Sequence, residues 1–101
     1  MHRIRLYWFL MTLLPHAAWA SDPSEGEKLA RRVCSTCHAV TAAGRSPMVE
    51  APTFAALARS QAFRNNAVGL LFKSHDKMPN FAFTSEQAED VLAYIRTLAP
   101  R

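Results

Sequence analysis

The 101-residue chain predicts an all-α domain of about four helices. Apolar residues recur at helical spacing in two long segments, and both segments carry start and stop signals. No run alternates with the period of two that a half-buried strand needs. Repeats and low-complexity tracts are absent from the sequence.

The first twenty residues read as a signal peptide. His2, Arg3 and Arg5 make a basic start, Leu6 to Leu14 form a short apolar run, and Pro15 breaks it. Ala18-Trp19-Ala20 then offers the small-x-small pattern that signal peptidase accepts before Ser21. The run is far shorter than the roughly 20 apolar residues needed to span a bilayer as a helix. Residues 1–20 are therefore expected to direct export to the periplasm, with one domain at 21–101. The alternative is an uncleaved anchor, with Trp8 and Trp19 at the membrane interface.

Cleavage after Ala20 leaves 81 of the 101 residues. At that size an apolar core alone gives a marginal fold, and natural domains add a staple. Cleavage also changes the charge. The twelve Lys and Arg include Arg3 and Arg5, while all eight acids lie downstream, so the net charge falls from +4 to +2. That excludes a strongly basic nucleic-acid-binding surface.

Each helix has a local reason. Asp22 suits an N-cap, Pro23 the first helical position, and Glu25 the far side of a capping box. Gly26, Leu29, Ala30 and Val33 then share one face. Gly in a helix costs about 1 kcal/mol against Ala, so Gly26 on that face suggests close approach by another helix. A loop over 39–52, with Gly44 and Pro47, follows. Thr53 to Ala58 reads as a short helix capped by Thr53, and Asn66 to Lys73 as another, with Leu70, Leu71 and Phe72 apolar. Thr84 caps the last helix with Gln87 at its third position. Ala88, Val91, Leu92, Ile95 and Leu98 form its apolar stripe, Tyr94 borders the stripe, and Pro100 ends it.

Between the first helix and the loop stands Cys34-Ser35-Thr36-Cys37-His38. Two thiols three positions apart, followed at once by an imidazole, form the attachment pattern of a c-type haem. Each thiol can add to a vinyl group on the porphyrin edge, and the next residue is carried under the ring to bind iron. Zinc would need four ligands, and the chain has two cysteines and no following His-x₃₋₅-His pair. A thioredoxin-like pair would want a βαβ setting, and a disulfide across two residues would staple little. A covalent haem is also the staple that a domain of this size lacks. The apoprotein is expected to be weakly folded or unfolded, and attachment implies machinery that keeps both thiols reduced in an oxidising compartment. Met48, His75 and Met78 are the candidates for the opposite face of the iron; Pro79 would stiffen the loop that holds Met78.

The order Gly26, Cys34-x-x-Cys37-His38, Ala51-Pro52-Thr53-Phe54, Met78-Pro79-Asn80 and Val91-Leu92-Ala93-Tyr94-Ile95 resembles a class I mono-haem cytochrome c, and more closely the small bacterial cytochromes of that class. The resemblance covers residues 22 to 99. It implies that fold, with the helices wrapped around one haem c attached through Cys34 and Cys37. It implies His38 and Met78 as iron ligands, and a Pro52 carbonyl that accepts a hydrogen bond from the second ring nitrogen of His38. It implies that Gly26 lets the first helix cross the last near Tyr94, and that Phe54, Leu57 and Phe81 line the porphyrin. Two positions depart from the pattern. Both tryptophans lie in the signal, so Arg45, Arg59 or Arg64 is left to meet a haem propionate. Ala30 replaces an aromatic that often packs on the last helix, which weakens the crossing.

The function expected is single-electron transfer between redox partner proteins, by a monomer rather than an enzyme, because an iron with both axial sites filled has no place for substrate. Lys73 and Lys77 would steer an acidic partner or serve only as solvated charge. Neither nucleic acid nor, once the signal is cleaved, a membrane is an expected partner. The rival readings are a haem-based sensor with a weak or absent Met78 bond, in which His75 could ligate, and a small electron-accepting subunit of a dehydrogenase or oxidase.

Overall fold

The computed structural model describes residues 20–73, 78–79 and 81–100. Among these there are four α-helices and no strand: α1 (Pro23–Val33), α2 (Phe54–Arg59), α3 (Gln61–Phe72) and α4 (Ser85–Thr97). A short 3₁₀ turn, Cys34–Thr36, continues from α1. The all-α expectation holds. Arg3 to Trp19, His75, Lys77 and Asn80 lie outside the described residues.

Helices α1 and α4 pack chiefly on each other. The reason is visible at Gly26, where an added Cβ would fall on the Asp90 carbonyl and crowd the Val91 nitrogen. The two backbones thus meet one helical turn before Tyr94. Ala30 and Val91 are fully buried and Leu92 nearly so. The small side chain of Ala30 therefore sits inside the shared core rather than leaving the helices apart.

Asp22 caps α1 by accepting the Ser24 N–H at 2.9 Å and the Glu25 N–H at 3.3 Å. The reciprocal half of the expected capping box is absent. Asp22 donates its own N–H to Asp90 Oδ1 at 2.8 Å, and Glu25 instead pairs with Lys28 at 3.1 Å. A tertiary acceptor has displaced the local one, tying the start of α1 to α4.

At α4 the capping box is complete. Thr84 Oγ1 accepts the Gln87 N–H at 3.1 Å, and Gln87 Oε1 accepts the Thr84 N–H at 3.0 Å. Thr84→Ala is expected to cost about 1 kcal/mol and lower the melting temperature of the holoprotein by roughly 5 °C, read by circular dichroism.

Helix α2 begins where expected, with Thr53 Oγ1 accepting the Ala56 N–H at 3.0 Å. Helix α3 begins five residues before the expected start at Asn66. Ser60 ends α2 and starts α3: its N–H bonds the Leu57 carbonyl and its hydroxyl accepts the Phe63 N–H, both at 3.0 Å. Only Phe63 and Ala67 of α3 are buried, and the exposed polar residues between them hide the helical period. The backbone is non-helical at Asn66, so the expected start is real as the start of the second half.

Candidate functional site

The helices and the loops between them border a half-open cavity of ≈ 950 Å³, near the top of the ~300–1,000 Å³ range of ligand pockets. Its lining is mostly apolar. Val33 closes it from α1, Phe54 and Leu57 from α2, Phe63 and Leu71 from α3, and Val91, Leu92 and Ile95 from α4. Cys34, Cys37, His38, Pro52 and Met78 all lie on the same wall system. The residues proposed from sequence as cofactor contacts are therefore brought together, as are Phe54, Leu57 and Phe81.

The thiols arrive there because α1 runs straight into the 3₁₀ turn. His38 N–H bonds the Cys34 carbonyl at 2.9 Å and Cys37 N–H does so at 3.1 Å, winding the pentapeptide into one tight turn. Burial, with the neighbouring Cys37 adding to it, pushes the Cys34 thiol up to about 11. A protonated thiol in apolar surroundings is slow to oxidise.

The loop after His38 is folded back by its own hydrogen bonds. Ala39 N–H reaches Ser46 Oγ at 3.0 Å, Met48 N–H reaches the Cys37 carbonyl at 3.1 Å, and Phe54 N–H reaches the Ala39 carbonyl at 2.9 Å. Gly44, at φ 106°, supplies the one left-handed residue among those described. This path brings the Pro52 carbonyl to 2.6 Å from His38 Nδ1. A carbonyl only accepts, so Nδ1 carries the hydrogen and Nε2 keeps its lone pair for a metal. Phe54 braces the imidazole, with ring centroids 5.5 Å apart.

Tyr94 is buried but does not line the cavity. Its hydroxyl donates to the Val40 carbonyl, 54 residues away, and its ring packs on Phe54 at 6.4 Å. It acts on the site through Phe54 and the loop. Burial raises its pKa above the usual 10, Glu27 raises it further, and Arg31 opposes. A folded-state pKa above the unfolded value gives stability that is complete below the unfolded pKa and is lost as pH rises through the folded one. Tyr94→Phe is expected to cost about 1–2 kcal/mol at neutral pH by stranding a buried carbonyl. It is also expected to flatten the loss of stability above about pH 10, read by denaturant titration across pH.

Met48 and Met78 both line the cavity. Among the described residues the cationic side chains lining it are Arg32 and Lys73, whereas Arg45, Arg59 and Arg64 are exposed and do not line it. Sequence reasoning passed over Arg32 and Phe63 as cavity residues, while Leu71 lies in the segment read as apolar helix; only the helical phase of α1 and the unrecognised first half of α3 could have signalled the other two.

The residues fit a porphyrin. The walls are apolar, two thiols sit at the mouth of the α1 turn, and an imidazole is fixed in the metal-binding tautomer. Fold and site together define a c-type haem protein with an all-α body. Residues 21–95 match the family model described as cytochrome c oxidase, cbb3-type, subunit III, and the chain belongs to that family of small mono-haem class I cytochromes c. It is also 35% identical over 85 residues to cytochrome c-552 of Bradyrhizobium diazoefficiens, an alignment covering 83% of this chain and 82% of the relative. No solved structure matches the chain. Its cofactor is a covalently attached haem c, and its role is that of a mono-haem electron carrier.

Proposed function

We propose that the protein carries single electrons between periplasmic redox partners through a haem held by Cys34 and Cys37, with His38 and Met78 as the axial ligands and residues 1–20 removed on export. The observation that carries this reading is the 2.6 Å contact between His38 Nδ1 and the Pro52 carbonyl inside an apolar cavity that Met78 also lines.

Haem bound there supplies one-electron iron chemistry. The chain's residues do the rest. The Pro52 carbonyl orients the His38 ring and raises the donor strength of Nε2. Phe54, Leu57, Phe63 and Phe81 keep water from the cavity. Met78 offers a soft thioether, which favours the reduced state and raises the potential. His38 and Met78 together would hold the iron and leave it no position for a substrate, which favours a carrier over an enzyme.

A sulfur-to-iron charge-transfer band in the near infrared of the oxidised holoprotein tests this ligand set. Its absence, with ready carbon monoxide binding to the reduced form, favours the sensor reading. The second reading, a small electron-accepting subunit, is favoured by the matched family's description as an oxidase subunit. Stoichiometric co-purification with a membrane oxidase would support that reading, and isolation as a free monomer would support the shuttle.

A further inference from the structure

Helix α3 is interrupted at Asn66, whose φ of −154° and ψ of 58° belong to no helix. The interruption carries a cap of its own. Asn66 Oδ1 accepts the Gly69 N–H at 3.1 Å, the bond that an N-cap makes with the third residue of the helix it starts. The second half, 67–72, closes when Lys73 N–H bonds the Gly69 carbonyl at 2.8 Å. Gly69 belongs to the same arrangement, because an added Cβ would run into the Asn66 carboxamide.

Asparagine and glycine are both poor helix formers, and Asn66 is exposed, so packing against a core does not call for it. What the pair does is restart the helix in a new direction. The restarted half carries Ala67, Leu70 and Leu71 onto the cavity lining, and Lys73 beyond it lines the same cavity as Met78 and Phe81. Phe63, ahead of the break, is fixed separately by Ser60 and by the Arg96 guanidinium 5.9 Å over its ring. Residues 67–72 thus start from their own cap at Asn66, with Ala67 and Leu71 packed on the core, rather than continuing the first half of α3.

The geometry points to Asn66, with Gly69, as a positioning residue for the Met78 side of the haem pocket. The cap holds the wall of Leu70 and Leu71 against the cofactor space, and that wall keeps Met78 engaged. This rests on the proposed ligation by Met78.

The test uses mature holoprotein carrying Asn66→Ala, Asn66→Asp or Gly69→Ala. Asn66→Ala and Gly69→Ala are each expected to weaken the sulfur-to-iron band and to raise the carbon monoxide-binding fraction of the reduced protein about fivefold. Asn66→Asp keeps the accepting oxygen and is expected to stay within about twofold of wild type. The double variant Asn66→Ala/Gly69→Ala is expected to do no more than either single change, since both remove one hydrogen bond. Thr84→Ala removes a comparable cap on α4 and is expected to lower the melting temperature while leaving band and carbon monoxide binding unmoved. An Asn66→Ala protein with wild-type band and binding overturns the inference, as does Asn66→Asp damaged equally or Thr84→Ala moving both readouts. A wild type without the band overturns the Met78 ligation and this inference together; a wild type with it isolates the inference from that reading.

Discussion

Gly26→Ala is expected to destabilise the holoprotein by about 3 kcal/mol, lowering its melting temperature by roughly 15 °C. The new methyl group would meet backbone, the Asp90 carbonyl and the Val91 nitrogen, and backbone cannot rotate aside as a side chain can. The helices must then separate, which opens contacts around Ala30, Val91 and Leu92, all at most 1% exposed. Alanine's better helix propensity returns only about 1 kcal/mol. The measurement is thermal unfolding by circular dichroism with the haem attached. A melting point unchanged within a degree or two would mean that α1 and α4 can part freely, contrary to their observed packing.

Met78→Ala is expected to lower the reduction potential on the order of 0.2 V, by removing the soft donor that favours the ferrous state. The near-infrared sulfur band should vanish and the reduced protein should bind carbon monoxide. Met48→Ala provides the matched comparison, because Met48 also lines the cavity but follows the attachment turn, its N–H bonded to the Cys37 carbonyl. That variant should keep both the band and the potential. If Met48→Ala removed the band and Met78→Ala kept it, the assignment of the second ligand would be reversed.

The parts of the fold that could be read from sequence are those specified by local chemistry. Thr53 and Thr84 each sit one position before the first residue of their helix, and both cap as their spacing suggests. The pentapeptide at Cys34 needs no tertiary context to be recognised, and the resemblance carried Pro52, Phe54 and Met78 with it. What stayed hidden depends on contacts distant in sequence. Glu25 looked like the partner of Asp22 until Asp90, 68 residues on, proved the nearer acceptor for its N–H. Tyr94 read as a core-edge residue, since nothing near it in sequence reveals that its hydroxyl ends on Val40. The first half of α3 escaped because Ser60 serves two helices at once, and a residue that closes one element does not announce the next.

The bond from Asp22 to Asp90 fixes where the polypeptide enters the domain. Along eleven residues of α1, at 1.5 Å each, that entry stands about 16 Å from the thiol of Cys34. A purification handle, a fusion or a retained leader joined ahead of Asp22 would therefore hang from the end remote from the attachment turn. Such a tether would hold the domain at a point one helix length away from the residues that carry the cofactor.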